Sequence, residues 1–194
     1  EEYTLVAVAD YVLSCTPGNT ASNLSSTRAL RDVTEGYGHT YFPSAVGEVN
    51  VVEAMKANNC VIGGEGNGGI IYPGLHYGRD ALVGIALFLT HLAVSGLSCS
   101  DLRKCYPDYF ISKNKINLSE GVDADALLEK FAGAHAQYDI NRTDGVKVDM
   151  PQGWVHLRKS NTEPIIRLYA EAGSKEEAER IAGEAKQTID SIVK

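Results

Sequence analysis

The chain has 194 residues and a mass of 20.9 kDa, which is enough for one large domain or two small ones. Hydrophobic residues make up 44% and charged residues 22% of the sequence, and this ordinary balance excludes disordered, collagen-like and coiled-coil chains. The formal net charge of −7 and the lack of a Lys/Arg run disfavour nucleic acid as a partner, but a few cations focused at one site would suit a small anion.

Membrane and export signals are weak. The longest apolar run, residues 81–89, is too short for a membrane span. Glu1 and Glu2 differ from the basic start of a signal peptide. The four cysteines form no CxxC pair, which disfavours zinc and indicates reduced thiols. We therefore expect a cytoplasmic protein with no membrane partner.

The first half alternates strands and helices, which predicts an α/β layer on a mostly parallel sheet. Apolar spacing, caps and short apolar runs indicate the individual elements. In chain order these are a helix at 3–15, a strand at 20–24, a helix at 27–35 capped by Ser25 and Ser26, a β-prone segment at 37–42 ended by Pro43, a helix at 51–57, strands at 60–62 and 70–71, and a long apolar helix at 79–94.

In the second half, strands and helices no longer alternate regularly, and the pattern predicts a small α+β domain. Residues 95–119 mix glycine, proline and polar residues and are interpreted as a connection. Beyond them the sequence predicts a helix capped by Asp123, antiparallel strands at 145–149 and 153–158, a strand at 165–171, and a final helix opened by the capping box Ser174–Glu177. The expected boundaries are 1–95 for the first domain, 96–118 for the connection and 106–194 for the second domain.

A glycine cluster at residues 63–69 is the first candidate site. Gly64, Gly66 and Gly69 fit the GxGxxG pattern of dinucleotide-binding proteins, but a strand and a turn follow where that site needs a helix, so we reject a nucleotide site. Two interpretations remain. The cluster is either a structural turn or a loop in which Glu65 accepts hydrogen bonds from vicinal sugar hydroxyls, with glycines allowing close approach.

The second candidate lies between two predicted strands. Residues 158–164 read Arg-Lys-Ser-Asn-Thr-Glu-Pro, and Arg167 follows on the next strand. Guanidinium groups bind phosphate oxygens bidentately, and backbone N–H groups of a turn can form an anion nest. The alternative is a solvated hairpin tip with ordinary charges. The local excess of cations in an acidic chain favours phosphate.

These two segments, together with Gly78-Arg79-Asp80 and the stretch 44–50, resemble the α-D-phosphohexomutases in sequence and in order. The family includes phosphomannomutase/phosphoglucomutase and phosphoglucosamine mutase. The resemblance covers essentially the whole chain and implies the last two of four domains. It implies a mixed-sheet three-layer α/β domain III followed by a small α+β, TBP-like domain IV.

The resemblance also implies an activity that this chain alone would lack. Family members interconvert hexose 1-phosphate and hexose 6-phosphate through a bisphosphate, using a phosphoserine in domain I and an aspartate loop for Mg²⁺ in domain II. No such aspartate run occurs here. We therefore expect no catalytic or metal-binding residue in this chain, Mg²⁺ and hexose bisphosphate as requirements of the full-length enzyme, and a hexose phosphate and the upstream domains as partners. The alternative is a stand-alone phosphosugar-binding module without catalysis.

Site residues follow from the resemblance position by position. The residues implied to bind sugar are Gly64, Glu65, Gly66, Asn67 and Gly68. The residues implied to bind phosphate are Arg158, Ser160, Asn161, Thr162 and Arg167. Three positions depart from many members, namely Asn67 in place of serine, Gly69 in place of histidine and Ala45 in place of lysine. The resemblance leaves mannose, glucose and glucosamine phosphates all open as substrates.

Overall fold

The chain divides into two units, Glu1–Asp108 and Tyr109–Lys194, and each contains its own sheet. The computed structural model describes residues 2–119, 121–160 and 163–193. The predicted fold class, an α/β domain with a mixed sheet followed by an α+β domain, is confirmed.

Over residues 2–108 the first unit consists of a four-stranded mixed sheet and five helices. These elements are α1 (Glu2–Cys15), β1 (Asn19–Asn23), α2 (Ala29–Gly36), β2 (Tyr41–Ser44), α3 (Glu48–Ala57), β3 (Cys60–Glu65), β4 (Gly69–Ile71), α4 (Ala81–Ser95) and α5 (Cys99–Lys104). The strand order is β2-β1-β3-β4, with β1, β2 and β3 parallel and β4 antiparallel to β3.

Helices cover both faces of this sheet, and two adjacent glycines of β3 show it. A Cβ at Gly63 would meet Met55 of α3, whereas a Cβ at Gly64 would contact Leu5 of α1. Successive residues of a strand point to opposite faces, so α3 and α1 lie on opposite sides. This is the predicted three-layer arrangement.

The second unit is an antiparallel sheet with helices on one face. Its elements are β5 (Phe110–Asn117), α6 (Ala124–Ala134), β6 (Asp139–Asn141), β7 (Val146–Met150), β8 (Gly153–Lys159), β9 (Ile165–Ala172) and α7 (Lys175–Val193), in strand order β5-β9-β8-β7-β6. Val155, Leu157, Leu168 and Ala170 belong to its core together with Phe131 of α6. Strand alternation therefore places Trp154, His156 and Arg158 on the other face.

Two elements differ from the sequence-based prediction. Pro43 was expected to end an extended segment, but it lies inside β2, which is an edge strand and so tolerates a residue without an N–H. Residues 96–118 were expected to be a connection, but they contain α5 and the eight-residue β5. The sequence of β5, with Lys113, Asn114 and Lys115 in its middle, is polar because it is an edge strand, and this concealed it.

The predicted cap of α2 is also wrong. Ser25 and Ser26 were expected to cap the helix, but α2 begins at Ala29, and the residue before it, Arg28, makes no side-chain cap hydrogen bond. The Ser25 N–H and the Ser26 hydroxyl instead donate to Asn23 Oδ1, at 3.0 and 3.1 Å. Both serines therefore order the loop that leaves β1.

Candidate functional site

Three parallel strands of the first unit end at one edge of the sheet. Asn23, Ser44 and Glu65 are the last residues of β1, β2 and β3. In open α/β sheets, ligands bind outside the carboxyl ends of the strands. This edge therefore brings together loops that are distant in sequence.

Glu65 is at the centre of this edge and is largely buried, with its side chain 7% exposed. Oε1 accepts hydrogen bonds from Asn23 Nδ2 at 2.9 Å and from the Gly47 N–H at 3.3 Å. Oε2 accepts from Arg79 Nη1 at 3.2 Å. A carboxylate has about four acceptor positions, so these three donors leave about one for a ligand.

Arg79 connects Glu65 to the loop that precedes α3. Its Nε lies 3.0 Å from Glu48 Oε2, and its backbone N–H donates to Glu48 Oε1 at 2.9 Å. These hydrogen bonds, the backbone one first, hold the pKa of Glu48 below its usual value. One guanidinium thus bridges two carboxylates, and the stretch 44–50 is fixed beside the glycine cluster.

The Asn23 loop is tied to the glycine cluster by Ser26. The Ser26 hydroxyl donates to Asn23 Oδ1 and accepts a hydrogen bond from the Gly66 N–H at 2.8 Å. Accepting two donors at Oδ1 orients the Asn23 amide so that its Nδ2 faces Glu65. The serine interpreted as a helix cap is therefore part of the candidate site.

The glycine cluster forms the tight turn between β3 and β4. A Cβ at Gly64 would collide with the Gly69 carbonyl, and Gly68 has a φ of +87° that L side chains rarely adopt. Asn67 closes the turn by accepting from the Gly69 N–H at 3.1 Å. The turn itself therefore requires glycine at 64 and 68, and only Glu65 and Asn67 contribute polar side chains.

The residues implied to bind sugar are thus adjacent in the structure, and three further residues join them. Sequence reasoning assigned no role to Asn23, Glu48 or Arg79. The available signals were the polar residue at the end of each short parallel strand and the Gly78-Arg79-Asp80 segment. Whether Glu65 and its neighbours bind sugar stays a prediction.

The second unit presents a row of cations across three strands. Arg158 of β8 is directly opposite Arg167 of β9, and Arg167 is directly opposite Lys115 of β5. Residues in register on paired strands share a face, and like charges placed opposite one another destabilise a sheet. We call Lys115, Arg158 and Arg167 the cation row. Lys115 was not anticipated, because β5 was not recognised as a strand.

The cation row is incompletely neutralised. In the described part of the second unit, Nε of Arg158 is buried without a hydrogen-bond partner. Arg167 is 37% exposed and reaches Glu163 only at 3.9 Å. By contrast, Lys159 is neutralised by Asp125 at 2.6 Å. An anion on this face could accept hydrogen bonds from the Arg158 and Arg167 guanidinium groups.

The turn beside the cation row is partly described. The Ser160 N–H donates to the Ile165 carbonyl at 2.9 Å, which closes the turn between β8 and β9. The other two residues implied to bind phosphate, Asn161 and Thr162, lie outside the described residues. Of the five predicted phosphate ligands, the structure places Arg158, Ser160 and Arg167 around one turn, and their role stays a prediction.

His156 lies on the same face of the sheet as the cation row, two residues before Arg158 along β8. It is buried, and its Nε2–H donates to the Asp144 carbonyl at 2.7 Å. The pKa of His156 is lowered to about 4, chiefly by burial and also by the nearby cations Lys147 and Arg158, while the hydrogen bond to Asp144 acts in the opposite direction. The imidazole is therefore neutral at pH 7 and adds no charge to the row.

Metal-binding clusters and membrane-spanning helices are both absent from the described part of the chain. Among residues 2–119, 121–160 and 163–193, no three His, Cys, Asp or Glu side chains come close enough to hold a metal ion. None of the described helices has the length and apolar character needed to cross a membrane.

Comparison with known proteins agrees with this architecture. Residues 1–109 match the model of phosphoglucomutase/phosphomannomutase alpha/beta/alpha domain III, and residues 115–187 match the C-terminal domain of the same family. A phosphoglucomutase/phosphomannomutase of Thermococcus kodakarensis is 37% identical over 90% of this chain and 39% of its own length. A probable phosphoglucosamine mutase of Methanopyrus kandleri is 31% identical over 87% of this chain and 37% of its own length.

Solved structures show the same fold at lower identity. A phosphoglucomutase/phosphomannomutase family protein of Burkholderia thailandensis superposes with a TM-score of 0.80 at 24% identity, over 98% of this chain and 41% of that one. An Aspergillus fumigatus N-acetylphosphoglucosamine mutase, solved with GlcNAc-6P and magnesium, superposes with a TM-score of 0.70 at 15% identity. The match covers 97% of this chain and 43% of that one. The chain therefore spans about two fifths of the length of these proteins.

Proposed function

The chain belongs to the phosphoglucomutase/phosphomannomutase family, of which it comprises domain III and the C-terminal domain, and on that premise we propose that it is the substrate-holding part of a hexose phosphate mutase. The complete enzyme would interconvert hexose 1-phosphate and hexose 6-phosphate. The proposed substrates are mannose, glucose and glucosamine phosphates, in keeping with the names of the relatives.

The cation row is the observation that carries this proposal. Two arginines opposite one another on a sheet cost stability unless an anion lies between or above them. A phosphate monoester is dianionic near neutral pH and accepts hydrogen bonds from both guanidinium groups. We assign Arg158, Ser160, Asn161, Thr162 and Arg167 to this group, and Lys115 as a further cation.

The sugar ring is assigned to the edge around Glu65. Glu65 has about one acceptor position left, which suits a sugar hydroxyl, and Asn67 on the adjacent turn offers a second polar side chain. Glycines at 64 and 68 allow the tight turn that presents these two side chains, and a side chain at Gly66 would collide with Glu2. A site built on paired polar groups discriminates strongly against a substrate that lacks the matching hydroxyl.

The phosphoryl transfer itself is assigned to domains outside this chain. Mg²⁺ would neutralise the transferring phosphoryl oxygens, and a hexose bisphosphate would be the intermediate. The described residues here do not fit such a metal site. This chain's contribution is to bind and orient the sugar and the phosphate that is not transferred. A cytoplasmic location is consistent with the exposed free thiols Cys15, Cys99 and Cys105.

The proposal is tested by NMR titration of the 194-residue chain with glucose 1-phosphate, mannose 1-phosphate and glucosamine 6-phosphate. Amide shifts are expected around Glu65 and around Ser160, and the second set is expected with inorganic phosphate alone. No shift at either place would refute the site assignment. Joining residue 1 to the preceding domains of the Thermococcus kodakarensis relative tests catalysis. Phosphosugar binding without turnover in that fusion would favour the non-catalytic module.

A further inference from the structure

One side of α4 is apolar and exposed to solvent. Leu82, Ile85 and Leu89 are 78%, 55% and 57% exposed. The spacing of three and four residues places them on one helical face, together with exposed Ala86 and Ala93. We call these five residues the α4 stripe.

The composition of α4 is unlike that of a solvent-facing helix. Its 15 residues include no Asp, Glu, Lys or Arg, whereas 22% of the whole chain is charged. The last helix, α7, shows the usual pattern, with Glu176, Glu179 and Glu184 exposed opposite its apolar face. A helix that is apolar on all sides is normally buried on all sides.

Within α4, Gly84 is the one residue that is buried. A Cβ at this position would meet Ile70 of β4, so the helix lies close to the sheet on that side. On the flank of α4, Phe88 lines a groove whose walls include Leu102, Tyr106 and the charged Arg103, so the uncharged apolar surface is the α4 stripe itself. The exposed apolar residues of α4 therefore share one helical face rather than being scattered singly over the surface.

We propose that the α4 stripe is the docking surface for the domain that precedes domain III in the full-length polypeptide. This chain matches domain III and the C-terminal domain, and it spans only 39% and 37% of two relatives. An uncharged apolar surface is typical of a permanent interface, whereas transient interfaces are more polar. The inference rests on the family assignment and on the proposal of a longer enzyme, but not on the chemistry of either site.

The test compares thiol labelling at two matched positions. Leu89→Cys is in the α4 stripe, and Leu75→Cys, a residue 59% exposed in the native chain, is the control outside it. Alkylation is followed by peptide mass spectrometry in the 194-residue chain and in a fusion of the preceding Thermococcus kodakarensis domains to residue 1. Burial in the fusion is expected to slow labelling at position 89 by about tenfold or more and to leave position 75 unchanged.

Three results would overturn the proposal. One is equal labelling of position 89 in the chain and in a fusion that circular dichroism shows to be folded. Another is protection of position 89 already in the 194-residue chain, which would mean that the chain or a second copy covers it. The third is a dimer in sedimentation velocity that Ile85→Asp dissociates and Leu75→Asp does not. Because the stripe is outside the sugar and phosphate sites, hexose phosphate titration of Ile85→Asp separates failure of docking from failure of the proposed function.

Discussion

Arg79 Nη1 donates a hydrogen bond to Glu65 Oε2 at 3.2 Å, across 14 residues of sequence. The same guanidinium binds Glu48, so a single cation holds the buried carboxylate and the neighbouring loop together. A buried carboxylate is costly unless it is paired and hydrogen-bonded. Arg79 therefore acts as a positioning residue for Glu65.

Replacing Glu65 with glutamine tests the sugar site. Glu65→Gln preserves size but replaces charge-assisted acceptance with a neutral amide, so affinity for hexose 1-phosphate should fall by roughly 1.5–3 kcal/mol, about ten- to a hundredfold in Kd. The measurement is NMR titration of the 194-residue chain. Glu53→Gln, on the exposed side of α3, is the control and should bind as the native chain does. Equal affinity of both variants would remove Glu65 from the site.

Replacing Arg79 tests the bridge between the two carboxylates. Two hydrogen bonds from Arg79 lower the pKa of Glu48, and Arg79→Gln removes the charged one. The pKa of Glu48 should therefore move up toward its ordinary value, as followed by carboxyl NMR. Arg180→Gln, in the second unit, is the control. An unchanged Glu48 pKa in Arg79→Gln would show that the guanidinium does not hold this carboxylate in solution.

Replacing Arg167 separates a binding role from a structural one. Arg167→Ala removes a like-charge contact with Arg158, so the free energy of unfolding should stay the same or rise by about 0.2–1 kcal/mol. Affinity for inorganic phosphate should nevertheless fall. Urea unfolding is followed by the fluorescence of Trp154, the chain's one tryptophan, which lies in the same unit.

The matched control for that experiment is Arg142→Ala, another arginine of the second unit, which pairs with Glu129. Phosphate affinity should not change in this variant. If Arg167→Ala also leaves phosphate affinity unchanged, the turn is a solvated hairpin tip and the phosphate assignment is wrong. Lys115→Ala should give a smaller loss than Arg167→Ala, because a lysine cannot bind phosphate bidentately.

His156 should make the second unit sensitive to acid. Its pKa is lowered to about 4 by burial, whereas an unfolded histidine titrates near 6.5. Between these values the unfolded chain binds a proton that the folded chain excludes. The contribution of neutral His156 to the free energy of unfolding is therefore fully present above pH about 6.5. It is lost as the pH drops toward 4, and the loss is about 3 kcal/mol in total.

The measurement is urea unfolding between pH 4 and 7.5, read again from Trp154. His156→Gln cannot titrate, so its stability should depend less steeply on pH over this window, whatever its stability at pH 7.5. Equal slopes for the native chain and His156→Gln would show that the histidine is not held neutral in the folded state.

Local sequence patterns determined most of the secondary structure and the turns of this protein. Most helices and strands, the mostly parallel character of the first sheet, the antiparallel strands of the second, the glycine turn and the cationic turn at residues 158–164 follow from apolar periodicity, caps and turn residues, all of which act over a few positions. The family resemblance rested on the same short segments. These features could be predicted because their causes lie within each segment.

Only the tertiary structure shows which of these segments contact one another. Parallel pairing brings Asn23 to Glu65 across 42 residues, and β5 adds Lys115 to two arginines of another hairpin. Neither contact is encoded by local spacing, because strand order and register depend on long-range hydrogen bonds. The exposure of α4 could not be predicted from the sequence for the same reason. Whether an apolar helix is buried or exposed depends on which neighbouring elements are present.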